Sequence, residues 1–185
     1  VLQRSSSSGR LLEPAAGFVL SDGNVYSALS ALDGADTIHA LANDGAPHPL
    51  TSAISLDRQQ DWVVLAAQLA TRNDVPIVAP SEVRIGDRCF SMEGSSSGGR
   101  VLVEGSITGQ AGNDATRRLL ASFLNGTGTP GAPLLNEFGE LIGVIGSAGV
   151  TGATGVLHLT RFRSQLRGAP VAPFNTVQVS PGASG

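Results

Sequence analysis

Residues 126–146 read GTGTPGAPLLNEFGELIGVIG. Two apolar runs, 132–135 and 141–145, flank Asn136-Glu137-Phe138-Gly139, and apolar runs joined by a short Asn- and Gly-containing turn predict a β-hairpin. The leading GTGTPG also fits G-x-G-x-x-G. A phosphate loop of that pattern follows a strand and opens a helix. Here Pro133-Leu134-Leu135 runs into the hairpin and no βαβ pattern surrounds it, so nucleotide binding is rejected.

The same rhythm extends outward. GFVLSDGNVYSALSAL (17–32) places Asp22-Gly23 between two apolar runs, a second hairpin signal. DTIHALANDG (36–45) and PHPLTSAISL (47–56) form another pair, split by Asn43-Asp44-Gly45, and DWVVLAAQL (61–69) reads as a buried strand with Trp62 in the core. TRNDVPIVAP (71–80) reads as a connector, after which VRIGDRCFSM (83–92) and GGRVLVEGSITGQ (98–110) resume the strand pattern. RRLLASFL (117–124) looks briefly helical, and GVLHLTRFRSQL (155–166) turns from strand-like to helix-like. Many short strands with turns between them predict an all-β chain, a sandwich or barrel. The connector divides it into two similar halves. The Ser-rich residues 1–14 read as a flexible lead-in, and the Pro/Gly/Ser-rich residues 168–185 as a tail or linker.

Composition narrows the function classes. Of 185 residues, 41% are hydrophobic and 15% charged, which suits a folded core and not a disordered chain. Aromatics are 4%, so that core is aliphatic. Net charge is -3 and all 12 basic residues are Arg, scattered apart from Arg161, Arg163 and Arg167; this argues against a nucleic-acid or anionic-membrane surface. A single cysteine, Cys89, excludes an internal disulfide framework and a multi-cysteine zinc site, and reads as a small buried apolar residue. No apolar run reaches the roughly 20 residues of a membrane helix, and no signal peptide is visible.

Three further features carry little chemistry. GSSSG (94–98) centres Ser96 in G-x-S-x-G, but a nucleophile elbow runs strand, turn, helix, and here a strand-like Arg100-Val101-Leu102 follows. Asn125-Gly126-Thr127 is a glycosylation sequon by pattern alone. His39, His48 and His158 are not spaced as metal ligands, so no metal and no cofactor is expected.

Four blocks in order resemble the trypsin-like serine peptidases, most closely the bacterial HtrA-type branch. GFVLSDGNVYSALSALDGAD (17–36) resembles the strand, hairpin and strand that end in Thr-Ala-Ala-His. SLDRQQDWVVLAAQL (55–69) resembles Asp-x-x-x-Asp-Leu-Ala-Val-Leu, and RIGDRCFSMEGSSSGGRVLVEGSITG (84–109) resembles the Gly-Asp-x-Val stretch and the strand after it. NGTGTPGAPLLNEFGELIGVIG (125–146) resembles Asn-x-Gly-Asn-Ser-Gly-Gly-Pro-Leu-Leu-Asn. The resemblance implies two six-stranded antiparallel β-barrels packed side by side over residues 15–167, about 15–70 and about 80–160, with a short C-terminal helix. It also favours a bacterial periplasmic or extracellular location.

Residue by residue, the resemblance places the catalytic His on Ser30, the Asp on Asp61 and the nucleophile on Pro130. The Gly that lends an oxyanion amide falls on Gly128, and the Gly-Gly-Pro that follows the nucleophile falls on Gly131, Ala132 and Pro133. Ser30 has no group that titrates near neutral pH, and Pro130 has neither a hydroxyl nor a backbone N–H. Thr129 carries a hydroxyl, but no His is placed to activate it. Asp61 is expected to accept hydrogen bonds from backbone or from the Ser30 hydroxyl, because an unpaired buried carboxylate is costly. Asp57 is expected to cap its turn. The implied function is a catalytically inactive peptidase homologue serving a larger protein as a binding, regulatory or structural module. Its partner would be an extended peptide or another domain, held near Gly128 and by Thr154, Gly155 and Val156. The alternatives are an active serine peptidase with a displaced triad and a structural domain without a ligand. Oligomeric state is open.

Overall fold

The computed structural model describes residues 1–41, 46–70, 75–78, 82–94, 100–113, 117–124, 128–148, 154–158 and 172–173. In chain order the strands are β1 (Leu2–Ser5), β2 (Phe18–Val19), β3 (Val25–Ser27), β4 (Thr37–Leu41), β5 (Pro47–Pro49), β6 (Ser52–Asp57), β7 (Trp62–Leu65), β8 (Arg88–Gly94), β9 (Arg100–Ala111), β10 (Arg118–Phe123), β11 (Pro133–Asn136), β12 (Leu141–Ala148), β13 (Thr154–His158) and β14 (Ala172–Pro173), with a 3₁₀ turn at Ser30–Leu32 after β3. Among the described residues no α-helix forms, and none is long and apolar enough to cross a membrane. The short C-terminal helix expected from the sequence falls outside the described residues.

The C-terminal half is a closed barrel in the order β10-β13-β12-β11-β8-β9. Its interior holds Cys89, Ile107, Leu119, Ala121, Leu134, Ile142, Ile145 and Val156. The N-terminal half is built from two sheets, β1-β4-β5 and β14-β6-β7-β3-β2. They share one core: Leu2 and Ile38 from the first sheet meet Val25, Ala53, Val63 and Leu65 from the second.

β7 explains how the halves join. All four of its residues are buried, because both faces of the strand are covered. Side chains alternate along a strand. Val63 and Leu65 therefore enter the N-terminal core, while Trp62 and Val64 face a seam with Leu141 and Val144 of the barrel. Each fully buried aliphatic side chain contributes about 1.5 to 3 kcal/mol. The connector completes the seam: Val75 and Ile77 pack against it, Ile77 bridges Leu141 in parallel, and Val78 enters the barrel core.

The hairpin turns expected at Asp22-Gly23 and 136–139 are present between β2 and β3 and between β11 and β12. Asp22 fixes the first, accepting Asn24 N through Oδ1 at 3.0 Å and Tyr26 Oη through Oδ2 at 2.7 Å.

Three expectations are corrected. Residues 1–14 are not a loose lead-in: β1 pairs with β4, Leu2 is buried against Ala15 and Leu12 packs on the same core, so apolar contacts and a sheet edge together order the segment. The helical reading of 117–124 fails, since Leu119, Ala121 and Phe123 alternate into the barrel with the period of a strand. Within the expected tail or linker 168–185, Ala172–Pro173 lie beside Ala53 and Ser52 as the edge strand of the N-terminal sheet. Pro173 fits there because an edge strand can lack a ladder donor.

Cys89 is fully buried, and desolvation pushes its thiol up to about 12 from 9.0. The folded protein thus holds the thiol proton more tightly than the unfolded chain. The contribution of this thiol to the unfolding free energy should be constant below about pH 9 and fall as pH rises from there toward 12, so wild type should lose stability over that range relative to Cys89→Ala. Ellman's reagent should label the native protein only at the rate of global unfolding, and rapid labelling would contradict this burial.

Candidate functional site

Asp61 ends the turn between β6 and β7, with Asp57 Oδ1 accepting Gln60 N at 3.0 Å to close that turn. Asp61 is one of two non-glycine residues at positive φ among those described, at 59°. Left-handed backbone is tolerated best by Asn and Asp after Gly. The twist turns the carboxylate back toward the 3₁₀ turn and the barrel.

Three donors converge on it. Ser30 N donates to Oδ1 at 2.7 Å, and Ser30 Oγ donates to Oδ2 at 2.7 Å. Ser147 N, from β12, donates to Oδ2 at 2.7 Å. These are the short distances of charge-assisted bonds. Ser147 is free to donate because β12 carries a bulge. Ile145 faces Val156 and Ala148 faces Thr154, so Gly146 and Ser147 together oppose Gly155. The extra residue takes the Ser147 amide out of the ladder and aims it at Asp61.

Arg118 supplies a cation nearby. Its guanidinium crosses Gly155 and Gly146, where added Cβ atoms would stand 3.6 and 3.7 Å from Nη1, and Nη2 donates to Gln59 O at 2.8 Å. The Gly146 position is also 3.5 Å from Asp61 Oδ2. Asp33 is raised above the usual carboxylate range, by burial first and by the charge of Asp61 second, against the pull of Arg4 and Arg58.

The loop before β11 is held separately. Glu93, at the end of β8, accepts Thr129 N through Oε1 at 2.9 Å and Thr129 Oγ1 through Oε2 at 2.8 Å. Gly131 N donates to Ile145 O at 2.7 Å. Gly131 has φ 87°, and a Cβ there would run into Ala16 O and stand 2.5 Å from Ser27 Oγ, so only glycine lets the loop lie against the N-terminal half. Pro130 sits between these anchors and has neither a polar side-chain atom nor a backbone N–H. Of the amides at 128–130, that of Thr129 is engaged by Glu93 and Pro130 has none.

The structure thus brings Ser30 and Asp61 together, adds Ser147, and holds Pro130 in a separately anchored loop. Among the described residues no group of three or more His, Cys, Asp or Glu could hold a metal ion. Ser96 and Asn125 lie outside the described residues. Thr154, Gly155 and Val156, expected as peptide contacts, lie in β13. All three are buried, and β13 is paired with β10 on one side and β12 on the other. A strand inside a closed barrel has no edge to which a peptide can add.

Sequence reasoning missed Ser147 and Glu93. Ser147 acts through its backbone amide, and the one sequence cue was Gly146, since glycine inside a strand often marks a bulge. Glu93 lies 36 positions from Thr129, and no local pattern links them.

No family model matches the chain, and a search of curated proteins finds no match. Solved structures do match. The active form of the Rv3671c protease from M. tuberculosis superposes with a TM-score of 0.74 over 92% of this chain and 80% of that one, at 18% identity. The fold is that of the trypsin-like proteases. The HtrA-type protease AlgW, solved with a decapeptide, superposes with a TM-score of 0.71 over 92% of this chain at 17% identity, and with a tripeptide at 0.71 over 90% at 18%. This trypsin-like chain spans 55 to 57% of AlgW's length.

Removing the charge at Asp61 should weaken the tie in graded steps. Asp61→Asn keeps the left-handed preference and loses charge-assisted bonding, for a cost of about 1 to 2 kcal/mol; Asp61→Ala strands three donors and strains the backbone, for about 3 kcal/mol or more. Urea unfolding of the two variants checks the order, and equal stability of wild type and Asp61→Ala would contradict the geometry.

Proposed function

We propose that this chain is a trypsin-like domain without peptidase chemistry, serving a larger protein as a binding, regulatory or structural module. The observation that carries this reading is the pair of hydrogen bonds that Ser30 donates to Asp61 through its amide and its hydroxyl. By the family resemblance, an imidazole belongs between Asp61 and the nucleophile. Here the carboxylate is taken up by a hydroxyl and two amides, none of which accepts a proton near neutral pH.

The nucleophile side supports the same reading. At Pro130 the hydroxyl and one oxyanion amide are lost together, and one such donor alone is worth about 3 kcal/mol of barrier. The Glu93 carboxylate beside Thr129 would also repel the negative charge that acyl transfer develops.

A second reading, a displaced active site, has one observation in its favour. Thr129 Oγ1 donates to a carboxylate at 2.8 Å, a hydroxyl beside a base. Against it, the same carboxylate holds the Thr129 amide, the geometry of a side chain pinning a loop. The chemical class of partner that suits a trypsin-like module is an extended peptide or a neighbouring domain, in line with the peptides bound in the AlgW structures.

Purified protein should hydrolyse neither casein nor fluorogenic peptides, and a fluorophosphonate probe should leave it unlabelled. Turnover that disappears in Thr129→Val while the fold persists would establish the displaced site and overturn the proposal.

A further inference from the structure

The fold gathers charges that the sequence scatters. Arg118 opens β10, and its Nη2 donates to Gln59 O, in the turn between β6 and β7, at 2.8 Å. That bond places Arg58, next to Gln59, and Arg117, next to Arg118, at the same junction of the two halves. Three of the 12 arginines of a chain with net charge -3 therefore stand at one point of the seam. Arg58 and Arg117 are exposed, and Arg118 is half-buried.

Arg118 is under-used there. Its bond to Gln59 O is its only hydrogen bond among the described residues, and no described carboxylate forms an ion pair with it. The carboxylates of the adjoining turn are engaged elsewhere: Asp61 accepts from Ser30 and Ser147, and Asp57 accepts from Gln60 N. The arginine side chain crosses Gly155 and Gly146, where added Cβ atoms would stand 3.5 Å from Cδ and 3.7 Å from Nη1, and neither residue has a side chain to cover the guanidinium. A guanidinium is weakly hydrated, and its planar N–H groups match a carboxylate in two parallel bonds.

We propose that Arg118 anchors a docking site for an acidic peptide segment: the carboxylate of a partner's Asp or Glu seats on the guanidinium where β10 meets the β6–β7 turn. The inference rests on the reading of this chain as a module that takes an extended peptide. Arg58 and Arg117 add positive charge around the anchor and draw an acidic segment toward it. Asp61 limits that charge. Its Oδ2 stands 3.5 Å from the Cβ position of Gly146, which Nη1 approaches to 3.7 Å, so a negative group faces the same spot. A singly charged carboxylate suits this mixed field, whereas a phosphate dianion meets twice the repulsion.

NMR titration of the full chain with the peptide acetyl-Ala-Val-Glu-Val-Ala-amide, and with its Gln and Lys counterparts, tests the pairing. The Glu peptide should bind about tenfold tighter than the Gln peptide, shift the Arg118 Nε–H resonance, and weaken as salt rises. The Lys peptide should bind most weakly. Arg118→Gln should erase the preference for Glu over Gln, while Arg88→Gln, at an exposed position on β8, should keep it. The wild-type comparison needs no variant to fold. Glu and Gln peptides that bind wild type equally would overturn this inference and leave the module reading standing, as would a preference that survives in Arg118→Gln. If no peptide shifts any resonance, the inference falls together with the peptide-binding form of that reading.

Discussion

The carboxylate of Asp61 is where the two halves of the molecule share their densest polar contact among the described residues. Its partners come from opposite sides of the seam: Ser30 from the N-terminal half, and Ser147 from the bulge in the barrel. A carboxylate withdrawn from water is costly unless donors replace its hydration. Three donors at 2.7 Å meet that need: a 3₁₀ turn places both Ser30 donors, a β-bulge places the Ser147 amide, and the left-handed backbone of Asp61 aims the carboxylate at them. The resemblance assigns this position to the carboxylate that orients a catalytic base. In this structure the carboxylate joins the two halves.

The seam around this tie is apolar and does most of the energetic work. Trp62, Val64, Tyr26 and Leu20 meet Leu141 and Val144, and burial of that kind is non-directional. Polar contacts supply the direction. Asp61 fixes β7 against β12, Arg118 reaches Gln59 across two glycines, and Gly131 lets the loop before β11 lie on Ala16. Glu93 then pins Thr129.

Much of this was legible in the sequence where the signal was local. Asp22-Gly23 and Asn136-Glu137-Phe138-Gly139 marked turns through their own backbone preferences, and Trp-Val-Val-Leu marked a strand covered on both faces. The Ser30–Asp61 contact was legible through chemistry, because an aspartate in a buried block needs a donor. What escaped was non-local or ambiguous in period. Arg118–Phe123 is too short to separate 3.6 from 2, and Leu2 sits among polar residues that hid its strand. Thr154–Val156 read correctly as strand, but sequence does not say which edges of a strand are already taken. Ser147 contributes an amide, which every residue but proline has, so its role depends wholly on the bulge.

Amide hydrogen exchange of Ser30 and Ser147, measured by NMR in wild type and in Asp61→Asn, tests the account most directly. Both amides should be strongly protected in wild type although Ser147 is exposed, and both should speed up together in the variant. A Ser147 amide that exchanges in wild type as freely as an open loop would contradict the claim that one carboxylate joins the two halves.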